Sequence, residues 1–290
     1  MKGKVDFFIV GTARCGTTSL CKYLLQCDRV FIPPIKEPHY FGRDLELSYR
    51  TTGPEYDSLY AQAPTHACKG DASTHYLCSR TAAEEIAVYN PDARIIIGLR
   101  DPVERAYSHY LYRVKEHAES RRFEEAIEAS IALVDERSAG PDREPYASMG
   151  LYADQVSRFL SAFGKERVLI HLFEDFQRDS AAVCGDVLSF IGVDAVSGTN
   201  VDRVYNRSLP ITSPLLARFL GQQSAVRRCW RWTVPSSLRA KVAAIARKTN
   251  LDMRAEPPMN EETARRLKAF FREDIDRLAQ LLGLDLSQWT

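Results

Sequence analysis

Long apolar runs are missing from this 290-residue chain. No window of eighteen consecutive residues is apolar, so no membrane-spanning helix is expected. No internal period repeats, which excludes solenoids, and an aromatic content of 10% excludes disordered and collagen-like classes. Excess charge is missing too: 39 basic residues stand against 38 acidic ones, a net charge of +1. That balance supplies no global field to steer a polyanion, and no nucleic-acid partner is expected. The seven cysteines form no CxxC pair and no Cys/His cluster at metal-ligand spacing. Their odd number, and the grouping of Cys15, Cys21 and Cys27 near a predicted helix, suit reduced thiols in a reducing, cytoplasmic compartment. The opening MKGKVDFFIV reaches its first apolar run at Val5, too early and too short for a signal peptide. One stretch departs from the even charge: residues 203–254 carry eleven Lys/Arg and a single acid, Asp252. A solvated face accounts for it as well as an anion site does.

What is present is an alternation of buried strands and amphipathic helices. Residues 5–10 (VDFFIV), 94–99 (RIIIGL) and 167–172 (RVLIHL) are near-continuous apolar runs, the mark of strands covered on both faces of a parallel sheet. Helices are predicted over 19–26 with Thr17 or Thr18 as cap, over 81–89, and from Pro102 to about 117 behind an Asp101 N-cap. Others fit 123–136, 151–163, 181–191 and 261–282, the last with Ala264, Leu267, Phe270, Phe271, Ile275 and Leu278 at helical spacing. Three prolines between Val30 and Pro38 force an extended passage there. The pattern predicts a three-layer, P-loop-like α/β fold with a central parallel sheet flanked by helices. Ligands of such sheets bind beyond the carboxyl ends of the strands, which would bring residues 11–18 and 100–108 to one rim.

Two segments carry chemistry. The first is Gly11-Thr12-Ala13-Arg14-Cys15-Gly16-Thr17-Thr18-Ser19, a glycine-bounded loop between a strand and a helix start. Backbone N–H groups and the helix dipole make such a loop an anion cradle. Its spacing is that of a P-loop, but Thr17 stands where the P-loop lysine would be, and the cation sits inside the loop at Arg14. The missing lysine disfavours ATP phosphoryl transfer. The second is Leu99-Arg100-Asp101-Pro102-Val103-Glu104-Arg105-Ala106-Tyr107-Ser108, where an arginine leaves a strand and a hydroxyl lies two turns into the next helix. Both suit a second phosphate, although Arg100 could equally pair with Asp101 or cap a carbonyl.

The joint occurrence of GTARCGTTSL and RDPVERAYSHY, in this order, resembles the sulfotransferases that use 3′-phosphoadenosine 5′-phosphosulfate (PAPS), over Phe7 to about Phe190. The resemblance implies that Arg14, Cys15, Gly16, Thr17, Thr18 and Ser19 bind the 5′-phosphosulfate and that Arg100 and Ser108 bind the 3′-phosphate. The segment Lys36-Glu37-Pro38-His39-Tyr40-Phe41 is similar to the KExHFF motif of the heparan-sulfate branch, which implies Glu37 as catalytic base with His39 as its stand-in. As a bland alternative, Glu37 would only pair with Lys36 or Lys22. That branch reads EKTPAYF where this chain reads Gly70-Asp71-Ala72-Ser73-Thr74-His75-Tyr76, so the family's lysine is Ala72 and its assistance must come from Lys36 or His75. Gly150-Leu151-Tyr152 and RVYNRS at 203–208 are similar to the family's last donor-binding helix and loop, implying roles for Tyr152 and Arg207.

The expected reaction is sulfuryl transfer from PAPS to a hydroxyl or amine of a small-molecule or glycan acceptor, with 3′,5′-ADP released. No metal is expected, because a sulfuryl group carries less charge than a terminal phosphoryl group. The rivals are a P-loop kinase acting on a small metabolite and a non-catalytic nucleotide binder. One domain over 1–290 is expected, with a donor-binding core at about 5–210 and a helical, basic portion at about 211–290. Residues 41–67, 138–149 and 212–234 are the expected acceptor loops. Oligomeric state is not legible.

Overall fold

A computed structural model describes residues 4–47, 49–116, 118–134, 146–194 and 259–290. Five strands, β1 (Phe7–Gly11), β2 (Val30–Phe31), β3 (Cys68–Ala72), β4 (Arg94–Leu99) and β5 (Val168–Leu172), form one sheet in the order β2-β3-β1-β4-β5. Every pairing is parallel. The chain starts in the middle, builds β2 and β3 on one side of β1, then crosses to β4 and β5 on the other. Loops leaving β1 and β4 therefore diverge at their carboxyl ends, and a crevice opens between them.

Strand periodicity explains the three layers. Along β1, Phe8 and Val10 enter one core and Phe7 and Ile9 the other; along β4, Ile95, Ile97 and Leu99 oppose Ile96. On the first face lie α3 (Ala82–Tyr89), α4 (Pro102–Lys115), α5 (Phe123–Ala132), α6 (Tyr152–Phe163) and α9 (Glu261–Leu282). On the second face lie α1 (Thr17–Leu24) and α8 (Ser180–Phe190), with Phe176 of α7 (Phe173–Arg178) between them. A further short helix, α2 (Gly53–Leu59), precedes β3. Cys15, Cys21 and Cys27 are buried and unpaired, as the composition suggested.

The last helix is part of this core. Leu267, Phe271, Ile275 and Leu278 are buried on one stripe, and the Asp274 carboxylate accepts from the Tyr152 and Ala153 amides at 2.6 and 3.1 Å. The start of α6 is thus capped by a side chain 122 residues downstream. Among the described residues no helix is long and apolar enough to cross a membrane.

One local expectation fails. Thr17 and Thr18 do not cap α1; the cap is Gly16 in a left-handed conformation, φ 75°, with no side-chain cap bond. Both threonines are the first helical residues instead, which leaves Thr18 Oγ1 available to a partner from another loop. Asp101 caps α4 as expected, accepting from the Val103 and Glu104 amides.

Candidate active site

The loop after β1 turns through two left-handed residues, Arg14 (φ 76°) and Gly16 (φ 75°), on either side of Cys15. Such turns gather backbone amides towards one point, and the first amides of α1 have no intrahelical acceptor. Cys15 points inward: burial pushes its thiol up to about 12, so only its backbone faces the rim. Arg14 reaches across the crevice. Its Nε donates to Ser108 Oγ at 3.1 Å, and its guanidinium lies 5.1 Å from the centre of the Tyr112 ring.

From β4, Arg100 comes back towards the same loop. Its Nη1 donates to the Arg14 carbonyl at 3.4 Å, its Nη2 is 3.6 Å from Glu104, and the guanidinium stacks 4.7 Å from the Phe173 ring centre. Glu104, rather than Asp101, is thus its acidic neighbour. The two segments singled out in the sequence share one rim, as the topology requires. Arg105 of the same motif turns away: it is fully buried, with Nη2 on the Tyr146 carbonyl.

A carboxylate closes the site from the third side. Glu37 Oε1 accepts from Thr74 Oγ1 at 3.1 Å and lies 3.5 Å from Lys36 Nζ. Its Oε2 lies 3.2 Å from His39 Nε2 and 3.5 Å from His75 Nδ1. Burial alone would raise this carboxyl, but the His39 and His75 imidazoles and the Lys36 ammonium outweigh it and hold the group well below the usual carboxylate range. Glu37 is ionised at neutral pH. Lys36 also donates to Thr18 Oγ1 at 2.7 Å, tying the carboxylate to the glycine loop.

The backbone that presents these groups is strained. Among the described residues, the non-glycine positions with positive φ are Arg14, Glu37 (φ 57°) and His39 (φ 52°). Such conformations persist only where surrounding contacts over-determine them. Here Arg50 supplies them: its guanidinium donates to the carbonyls of His39, Tyr40, Phe41, Gly42 and Leu45. Thr51 bonds the Pro38 carbonyl, and the Tyr76 hydroxyl accepts from the Tyr40 amide at 2.9 Å. Tyr76, Tyr56 and Ser73 in turn donate to Asp71, which is fully buried at the end of β3.

Asp71 and Tyr76 stood in the matched segment 70–76 without an assigned role, and Arg50 and Tyr56 went unmarked in the sequence. The local signal nearest to those two is the capping box Thr52-Gly53-Pro54-Glu55, which opens α2. The Tyr152 ring is fully buried, and its hydroxyl donates to the Arg100 carbonyl at 3.0 Å. Arg207, the basic stretch 203–254 and the loop 212–234 lie outside the described residues, as does most of 138–149.

Comparison with known proteins bears on the family and the fold. The Sulfotransferase domain model matches residues 4–210. Mouse carbohydrate sulfotransferase 15 is 27% identical over 289 aligned residues, 74% of this chain and 51% of that protein. Human heparan sulfate glucosamine 3-O-sulfotransferase 3B1 is 25% identical over 283, covering 96% of this chain and 63% of that protein. The chain spans about half the length of the first of these relatives. A sulfotransferase crystal structure from Alicyclobacillus acidocaldarius superposes with a TM-score of 0.70 at 31% identity, covering 99% of both chains.

Proposed function

The chain belongs to the sulfotransferase domain family, and from that premise we propose that it moves a sulfuryl group from PAPS to a hydroxyl or amine of a glycan or small-molecule acceptor, releasing 3′,5′-ADP. The bond between sulfur and the 5′-phosphate oxygen breaks, and one from sulfur to the acceptor oxygen or nitrogen forms. Glu37 takes the acceptor's proton, a general-base role that needs hydrogen-bond contact. Arg14 and the amides at the start of α1 meet the negative charge that grows on the departing phosphate. Arg100 and Ser108 hold the 3′-phosphate and fix the donor in line.

The observation that carries this reading is the position of Lys36. Its ammonium bonds Thr18 of the anion loop at 2.7 Å and sits 3.5 Å from the Glu37 carboxylate. A base is thereby stationed one side chain from the place where the transferred group must lie. Lys36 also brings into the site, from a different loop, the ammonium that Thr17 withholds from the glycine loop and Ala72 from β3. A glycan or polysaccharide acceptor is consistent with the relatives' names, and an acidic acceptor would meet Lys36, His39 and His75.

Calorimetry with 3′,5′-ADP and with ATP–Mg²⁺ tests the donor, and acceptor-dependent release of 3′,5′-ADP from PAPS tests the reaction. Tight 3′,5′-ADP binding with release on adding an acceptor is expected. Preference for ATP–Mg²⁺ would make the protein a kinase, and binding without release over a broad acceptor panel would make it a nucleotide binder.

A further inference from the structure

We propose that Glu37, His39 and His75 together form a three-ligand site for one divalent transition-metal ion of the zinc class, whose occupancy takes the general base out of action. The inhibitory consequence rests on Glu37 being the base; the site itself does not.

The spacing of the donor atoms is the first argument. Glu37 Oε2 lies 3.2 Å from His39 Nε2 and 3.5 Å from His75 Nδ1, and all three atoms fall within 4.8 Å of one another. Ligands about 2.0–2.1 Å from a tetrahedral ion are about 3.4 Å apart, so two of the three edges already have the required length. The third closes by a small rotation of either ring, whose centres are 5.3 Å apart at 80°.

A second argument is the weakness of the contact that His75 makes. Its Nδ1 is buried, and the carboxylate oxygen it faces is 3.5 Å away, too far for a strong hydrogen bond. A buried ring nitrogen gains from a closer partner than this one. A metal would also find Glu37 already oriented. Thr74 holds Oε1, which turns Oε2 to the imidazoles, the arrangement outer-shell partners give to metal-bound carboxylates.

Ligand type selects the ion. Two imidazoles and one carboxylate suit Zn²⁺ and its neighbours rather than Mg²⁺ or Ca²⁺, and three protein ligands leave a fourth position open. The side chains of Glu37, His39 and His75 are 24%, 14% and 28% exposed, so an ion can enter from the rim. Lys36, 3.5 Å from Oε1, opposes a dication and sets the site below the affinity of a structural zinc. Its bond to Thr18 keeps the ammonium on the loop side when the ion arrives. No metal-ligand spacing marks the cluster in the sequence, because Glu37 and His39 share one loop and His75 comes from another.

The test uses the full chain stripped with chelator and titrated with Co²⁺ as a spectroscopic probe, then with Zn²⁺ as competitor. The expected result is visible absorption of four- or five-coordinate Co²⁺ saturating at one ion per chain and erased by Zn²⁺. It should be lost in Glu37→Gln and in His75→Asn, with folding checked by circular dichroism. Should His75→Asn not fold, His39→Asn serves, since asparagine tolerates positive φ. Zn²⁺ should inhibit transfer at the concentration where it binds, and chelator should restore it. Absence of saturable Co²⁺ absorption, or absorption unchanged in the folded variants, overturns the site. Failure of the base reading is separate: it would appear as metal-free Glu37→Gln turning over normally.

Discussion

Arg14 Nε donates to Ser108 Oγ at 3.1 Å, joining two segments that lie 94 residues apart in the chain. Each segment reads as an anion site by itself. Joined, they make a continuous cationic rim, with Arg100 bonded to the Arg14 carbonyl behind it. A donor with two separated phosphates would exchange the Arg14–Ser108 bond for one contact to each group.

That exchange makes Arg14 testable. Arg14→Gly keeps the left-handed backbone, which glycine adopts without strain, and removes the whole side chain with its guanidinium. Turnover should fall by roughly 10²–10³, the range for losing a donor aimed at developing charge, with a smaller loss of 3′,5′-ADP affinity. Steady-state kinetics beside calorimetry decide it, and an unchanged kcat would remove Arg14 from the transition state.

Arg100 should act on binding rather than on rate. Its guanidinium is pre-set by Phe173, Glu104 and the Arg14 carbonyl. Arg100→Ala should weaken 3′,5′-ADP binding by about tenfold to a hundredfold, the worth of one charge-assisted hydrogen bond, while leaving 5′-AMP binding nearly untouched. Discrimination between the two nucleotides surviving in the variant would place the 3′-phosphate elsewhere.

A third prediction concerns a residue that no motif marked. Arg50 holds five carbonyls of the loop that carries His39, and no single ammonium can span them. Arg50→Lys should therefore fail to rescue Arg50→Ala. Both should lose about 2 kcal/mol or more of stability and much of kcat, with 3′,5′-ADP affinity retained because the donor loop is elsewhere. Lysine restoring full activity would mean that charge, not the fork of donors, is what the loop needs.

These cases show what the sequence could and could not carry. Strands β1 and β4 were legible because both their faces are buried, and β5 because its apolar run, partly buried at the sheet edge, packs on both cores. Strand β3 was not: CKGDA contains Gly70, where a methyl group would come within 2.1 Å of the Phe7 ring, and Asp71, whose burial depends on hydroxyls from three places in the chain. The anion loops were legible as local motifs. Arg50 and the capping of α6 by Asp274 were not, since each acts on backbone that only the tertiary fold brings near.

Asp71 gives a pH prediction. Burial pushes its carboxyl up to about 6, partly offset by hydrogen bonds from Ser73, Tyr56 and Tyr76. The unfolded chain holds the proton less tightly, so between roughly pH 4 and pH 6 the folded state binds more protons. The contribution to stability is therefore full below the unfolded value and lost as pH rises through about 6. Relative to Asp71→Asn, the wild type should lose up to about 3 kcal/mol between these limits and then level off. Denaturant titrations of both proteins at several pH values check this, and parallel stability curves would contradict it.

Glu37→Gln separates chemistry from architecture. Glutamine keeps the length of the side chain and can still accept from Thr74, but it cannot take a proton at neutral pH. Binding of 3′,5′-ADP should be almost unchanged, because the proposed phosphate sites are the Arg14 and Arg100 segments. Turnover should fall by roughly 10²–10⁴, the usual range for a positioned general base. A purely structural Glu37 makes a different forecast. Its ionic partners are Lys36 and the two imidazoles, and the carboxylate sits below the ordinary range because of them. Losing those contacts would lower Tm and leave kcat intact at temperatures well under the transition. The same depression keeps Glu37 charged through mildly acidic pH, so an acidic limb in the wild-type rate profile would belong to another group and should persist in the variant's residual activity. Tm, 3′,5′-ADP affinity and kcat measured on one preparation distinguish the two accounts. Near-wild-type turnover would transfer the base to His39, whose Nε2 is 3.2 Å from the carboxylate it would replace.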